Sequence, residues 1–269
     1  MMAGGDGIME YGVALVTGAG SGIGQGVAIR LARLGARVVV TDISEAGIDE
    51  TLRLIAVDGG KAMGQRLDVA DAASVEAAFA AAEAWDKPVD VLVNNAGIAS
   101  LHAFLDFPAE DWTRVMTVNV TGTLLCAQRA GRAMVRQGYG RIVNIASVSG
   151  IRAGVGRTAY GTSKAAMIGL TRQMALELGP YGVTANAVAP GPIVTPLTQA
   201  NYTEATVAAF LPMIPARRMG QSSDIAAAVA YLAGPEAGYV NGDVLVVDGG
   251  YVAAGVTQTG NLDMSASGG

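Results

Sequence analysis

"VALVTGAGSGIGQGVAIRLARLGARVVVTD", residues 13–42, joins two apolar runs through a glycine-rich turn and a stretch of helical period. Neither run alternates polar with apolar residues, and a strand that is apolar on both sides belongs in a parallel sheet covered on both faces. The turn between them carries Gly18, Gly22 and Gly24, with Ser21 and Ile23 in the same loop. Small residues at that place let backbone amides approach a pyrophosphate, and the helix dipole favours its negative charge. Asp42 closes the second run, eighteen residues after Gly24. A carboxylate at that strand end accepts hydrogen bonds from both hydroxyls of an adenosine ribose and repels a 2′-phosphate. Neither Ser21 nor Ile43 offers the cation that a 2′-phosphate needs, so the stretch favours NAD(H) over NADP(H). Ser44 is available to cap the next helix, which frees Asp42 from that task.

The same alternation continues outward. Apolar runs at 61–67, 89–94, 140–147, 183–190 and 243–247 follow those at 13–17 and 36–41, with helical stretches between them. Seven strands with helical crossovers make a doubly wound, Rossmann-like α/β fold with a parallel sheet. They fill residues 11–252 without a linker, which predicts one domain, flanked by segments 1–10 and 253–269 that read as mobile. Helix starts are expected after Asp71, after Ser222 or Ser223, and at Pro108 with Glu110 and Asp111 in the first turn. Two long helices are expected over about 109–136 and 158–179. Asp68 and Val69 end the third strand, where an adenine ring is expected.

Composition narrows the function. Of the 269 residues, 51% are hydrophobic and 15% charged, and a net charge of −5 argues against a nucleic-acid partner. No apolar run reaches the ~18 residues of a membrane span. The opening residues lack a basic segment followed by an apolar one, so a cytoplasmic protein is expected. A single cysteine, Cys126, excludes an intrachain disulfide and multi-cysteine zinc patterns, and it reads as a buried helical thiol. His102, the single histidine, has no second ligand at metal spacing; it reads as a loop residue bordering a pocket, and no metal is expected.

"AYGTSKAAM", residues 159–167, places Tyr160 and Lys164 four residues apart on one helix face. A fixed cation beside a phenol favours the phenolate, so the pair can serve proton transfer near neutrality. Together with "TGAGSGIG" (17–24), "LDV" (67–69), "NNAG" (94–97), "VNV" (118–120), Ser147 in "NIASVSG" and "APGPIVT" (189–195), the chain resembles the short-chain dehydrogenase/reductase family. Ser147 lies thirteen residues before Tyr160, the spacing that the family uses.

The resemblance implies that Tyr160 is the general acid or base. It implies also that Lys164 binds the nicotinamide ribose and, with the cofactor's positive ring, lowers the Tyr160 pKa, that Ser147 donates to the substrate oxygen, and that Asn119 holds a water in a proton relay. It places Asn95, Ala96 and Gly97 on the dinucleotide with Pro190 and Gly191, Thr195 at the carboxamide, and Ile193 near the ring. It also implies a homotetramer built through the two long helices. Pocket walls are expected from Ser149, Arg152 and Arg157 after Ser147, and from Pro192, Leu197 and Tyr202 in the lid. The apolar lid leans towards a cyclic, aryl or alkyl secondary alcohol or ketone. The two arginines would suit an anionic or polyol substrate, or else stand as solvated surface residues. Alternatives are an NADPH-linked 3-oxoacyl-carrier-protein reductase, a polyol or sugar dehydrogenase, and a non-catalytic NAD(H)-binding module.

Overall fold

In a computed structural model describing residues 11–255, seven parallel strands form one sheet in the order β3-β2-β1-β4-β5-β6-β7. The strands are β1 (Val13–Thr17), β2 (Arg37–Asp42), β3 (Lys61–Arg66), β4 (Val91–Asn94), β5 (Gly140–Ile145), β6 (Val183–Pro190) and β7 (Val244–Val247). The helices are α1 (Gly22–Arg33), α2 (Glu45–Val57), α3 (Ala72–Trp85), α4 (Ala109–Met116), α5 (Gly122–Gln137), α6 (Thr158–Leu178), α7 (Pro196–Asn201), α8 (Glu204–Phe210) and α9 (Ser222–Ala233). The expected doubly wound fold is therefore present. The expected mobile segments lie outside the described residues, apart from 253–255.

The unbroken apolar strands have the reason inferred from sequence. In β1, Ala14 and Val16 join a core with Val27 and Leu31 of α1 and Ile225 and Val229 of α9. Val13 and Leu15 join the opposite core, with Phe79 of α3 and Cys126 and Met134 of α5. Each successive side chain points to the other face, so both faces need apolar residues. Cys126 is fully buried, and burial pushes its thiol up to about 12.

Local signals behave unevenly. Asp71 caps α3 by accepting from the Ala73 amide at 3.0 Å, and Ser44 caps α2 by accepting from the Gly47 amide at 3.2 Å. Pro108 is the residue before α4, with Glu110 and Asp111 in the first turn. Ser222 is already helical in α9; the cap is Gln221, whose side chain forms a reciprocal box with Asp224. The long helix expected over 109–136 is interrupted at Thr117–Thr121 by a π-helical turn that carries Asn119. Such a turn inserts a residue into the helical ladder and re-aims the side chains around it, often at functional sites. Among the described residues, no helix is long and apolar enough to cross a membrane.

Candidate active site

The chain runs outward from β1 to β3, then returns to β4 on the other side of β1, so β1 and β4 part at their carboxyl ends. Crevices at such switch points are where open α/β sheets bind ligands. A cavity of about 540 Å³ lies there.

Its floor is the glycine turn, held by polar staples. Thr17 Oγ1 accepts from the Asn95 and Ala96 amides, both at 3.0 Å, and Asn95 Nδ2 donates to the Thr17 and Gly18 carbonyls at 2.9 and 2.8 Å. Gly18 and Gly22 have φ of +63° and +56°, in the left-handed region that favours glycine. A Cβ on Gly24 would stand 2.2 Å from the Gly18 carbonyl oxygen, so Gly24 packs the turn and does not itself line the cavity. Ser21, Ile23, Asp42, Ile43, Asp68 and Val69 line one end. Asp42 accepts from the Gly20 and Ser44 amides, each at 2.9 Å, and so also fixes the turn. Each carboxylate oxygen has a second lone pair, which leaves room for a ribose hydroxyl.

Asn95, Ala96, Gly97, Pro190, Gly191, Pro192, Ile193 and Thr195 line the middle. Thr195 caps α7, and its backbone N–H donates to Thr198 Oγ1 at 2.9 Å. Ile193 bridges to Gly220, where a Cβ would come within 2.4 Å of Ile193 Cδ1. A glycine cradle at a helix start, a carboxylate at the end of β2 and a cavity that both border fit a dinucleotide.

Ser147, Ser149, Arg152, Arg157, Tyr160, Lys164, Leu197 and Tyr202 line the far end. Lys164 is buried, and its Nζ donates to the Ile145 carbonyl at 2.7 Å and lies 5.7 Å from the Tyr160 ring centroid. Burial pushes the Lys164 ammonium down to about 8. Burial pushes the Tyr160 phenol up, while a hydrogen bond with Ser147 and the positive charge of Arg157 pull it down. Two cations flank the phenol: Lys164 Nζ, at 5.7 Å from the Tyr160 ring centroid, and the Arg157 guanidinium carbon, at 6.0 Å, the second of which was not foreseen from sequence. Ser147 Oγ also accepts from the Ser149 amide at 3.0 Å.

Asn119 does not reach the cavity. Its Oδ1 accepts from the Ile98 amide at 2.8 Å, and its Nδ2 donates to the Ile98 carbonyl at 3.0 Å and to Ser163 Oγ at 2.9 Å. His102 likewise turns away, with its Nε2 2.7 Å from Asp111 Oδ2 and its ring edge-on to Phe107. The arginines are not free in solvent: Arg157 Nη2 donates to Tyr202 OH at 2.7 Å, and Arg152 Nη1 donates to the Tyr251 carbonyl at 2.9 Å.

Two features escaped the sequence reading. Asn94 Nδ2 donates to Asn144 Oδ1, and Asn144 Nδ2 donates to Thr171 Oγ1, both at 2.9 Å, in a buried ladder that ties β4 and β5 to α6. An asparagine inside an unbroken apolar strand was the available signal, because a buried amide needs partners. Tyr251, which also lines the cavity, follows β7 and carries no local signal.

Residues 18–252 match the family profile described as enoyl-(acyl carrier protein) reductase. The short-chain reductase protein NovJ of Streptomyces niveus is 41% identical over 249 residues, spanning 90% of this chain and 95% of NovJ. The 3-oxoacyl-(acyl-carrier-protein) reductase FabG of Vibrio cholerae is 41% identical over 242 residues, spanning 90% of this chain and 98% of FabG. A solved variant of actinorhodin polyketide ketoreductase with NADPH superposes with a TM-score of 0.85 at 39% identity, covering 89% of this chain and 96% of that one. The chain belongs to the short-chain dehydrogenase/reductase family and is an oxidoreductase of alcohol-type and ketone-type substrates.

Proposed function

We propose that the protein interconverts a secondary alcohol and its ketone using NAD(H) in preference to NADP(H). The observation that carries this reading is the convergence of Ser147, Tyr160 and Lys164 on the cavity that the glycine turn opens. When bound, a nicotinamide dinucleotide supplies the hydride acceptor or donor. Tyr160 takes the hydroxyl proton in oxidation and returns it in reduction. Ser147, which lines the cavity with Tyr160, donates to the substrate oxygen as alkoxide character develops. Lys164 holds the nicotinamide ribose beside Tyr160 and, with a bound positive ring and Arg157, pulls the phenol pKa down. Asn119 supports a proton relay by fixing Ile98 and Ser163 around the ammonium: a Cβ on Gly97 would lie 3.2 Å from Asn119 Oδ1 and 3.5 Å from Lys164 Nζ. Gly18, Ser21, Gly22, Asp42, Ile43, Asp68 and Val69 hold the adenosine and pyrophosphate. Thr195 and Ile193 hold the nicotinamide end.

A homotetramer and cytoplasmic residence belong to the same proposal. The solvent-facing Leu124 on α5 and Leu176 on α6 support helix-pair contacts between copies. A monomer mass by light scattering would overturn the tetramer, and recovery outside the cytoplasm on fractionation would overturn the residence.

The likeness to FabG favours a second reading, NADPH-dependent reduction of a carrier-bound 3-oxoacyl group. The acidic net charge suits docking of an acidic carrier poorly. The test is nicotinamide absorbance with polyols, with aliphatic, cyclic and aryl secondary alcohols, and with their ketones, under both cofactors. Turnover with NAD(H) well above NADP(H) is expected. Better turnover with NADP(H) would overturn the Asp42 reading and favour the carrier-linked reductase. Tight NADH binding without turnover of any alcohol or ketone would favour the binding module.

A further inference from the structure

The charged residues that line the cavity are Asp42, Asp68, Arg114, Arg152, Arg157 and Lys164. Asp42 and Asp68 line the end beside the glycine turn, whereas Arg152 and Arg157 line the end beside Tyr160. No carboxylate among the described residues pairs with either arginine; Arg129, by contrast, is spent on Glu76 and Glu83, and Arg114 on Asp111.

Arg157 is partly buried, and its guanidinium carbon lies 6.0 Å from the Tyr160 ring centroid and 5.6 Å from that of Tyr202. Its hydrogen-bond partners are two neutral hydroxyls, Tyr202 OH at 2.7 Å and Ser149 Oγ at 3.4 Å. A guanidinium has five N–H donors in a planar fork that matches a carboxylate, and it stays charged at any ordinary pH. Removing such a charge from water without an anion is costly, so a ligand that brings one gains both charge and hydrogen bonds. Arg152, nearer solvent and held by the Tyr251 carbonyl, adds positive potential at the same end.

We propose that the substrate is an oxyanion-bearing alcohol or ketone, a short hydroxy acid or oxo acid, whose carboxylate is held by Arg157 within a few bonds of the reacting carbon. This rests on the oxidoreductase reading above and narrows its substrate class. Hydrophobic pocket walls from Leu197 and Phe210 then face the alkyl portion. The competing role for Arg157 is purely structural, as a clamp between Tyr202 and Ser149.

The test compares each acid with its uncharged methyl ester: 3-hydroxybutanoate and 4-hydroxypentanoate for turnover, and 4-oxopentanoate for binding by calorimetry to the cofactor-loaded enzyme. Wild type is expected to prefer the acids. Arg157→Gln is expected to raise KM or Kd for the acids roughly 30-fold or more while moving those of the esters far less. Arg157→Lys should recover part of the acid binding, and Arg152→Gln should have the smaller effect. Equal rises in KM or Kd for acid and ester in Arg157→Gln, or a wild-type preference for the esters, would overturn the anion subsite and leave the oxidoreductase reading standing. Arg157-dependent binding of 4-oxopentanoate without turnover of any acid or ester would support the subsite and count against that reading. No binding and no turnover of any acid would overturn the subsite.

Discussion

The two ends of the cavity are built by different means. The dinucleotide end is made of strand termini and backbone: the Gly18 turn, the Thr17–Asn95 staples and Asp42 at the end of β2 all sit within a few residues of sheet ends. The substrate end is made of side chains brought from Ser149, Arg157, Tyr202, Phe210 and Tyr251, more than a hundred residues apart at the extremes. Backbone constraints admit few residue types, so the first end keeps a recognisable pattern. Side-chain walls admit many, so the second can vary its substrate while the chemistry between the ends stays fixed.

The sharpest way to separate the ends is Tyr160→Phe. It should lower kcat by roughly 10²–10⁴-fold while leaving NADH affinity within a few fold, read by turnover and by nucleotide fluorescence titration. Comparable losses in both would mean that the phenol holds the cofactor rather than moves a proton.

Lys164 tests the boundary between them. Its folded-state pKa is lowered from 10.5 to about 8, so between those pH values the unfolded chain binds more protons than the folded one. Stability therefore rises with pH across that window, and below it the buried charge costs on the order of 3 kcal/mol. In urea unfolding of the unliganded protein, wild type should gain stability relative to Lys164→Met from pH 8 to 10.5. A pH-independent difference would contradict the burial argument.

On the dinucleotide side, Gly24→Ala drives a Cβ into the Gly18 carbonyl and to 2.4 Å from Asn95 Nδ2. A loss of about 1–3 kcal/mol in stability, with weaker NADH binding, is expected. Asp42→Asn keeps an acceptor for the loop but removes the charge, and the ratio of kcat/KM for NAD(H) over NADP(H) should fall about tenfold. An unchanged ratio would place cofactor choice elsewhere. Away from the cavity, Asp71→Ala removes only the α3 cap, and about 1 kcal/mol of stability should be lost without any change in KM.

The sequence made the first end readable and much of the second opaque for physical reasons. Glycines at positive φ, a carboxylate at a strand end and a Tyr–Lys pair at helical spacing are local features. The interruption at Thr117–Thr121 was not readable, because the residues around Asn119 have ordinary helical period and only tertiary hydrogen bonds to Ile98 and Ser163 mark the site. The lid was read as one apolar segment, yet Thr195 and Thr203 cap two short helices within it. Arg157 was legible as a charge near the catalytic segment. That it faces Tyr160 and lacks a carboxylate became visible only once the lid was folded over it.

The most direct measurement is the fate of deuterium carried on C4 of NADH during reduction of a ketone that the enzyme accepts. Label placed on one face of the ring should appear at the carbinol carbon of the product, and label on the other face should stay with the cofactor, as hydride transfer from a ring bound in a single orientation requires. Product whose carbinol hydrogen comes from solvent, or no transfer from either face, would contradict hydride transfer at this site.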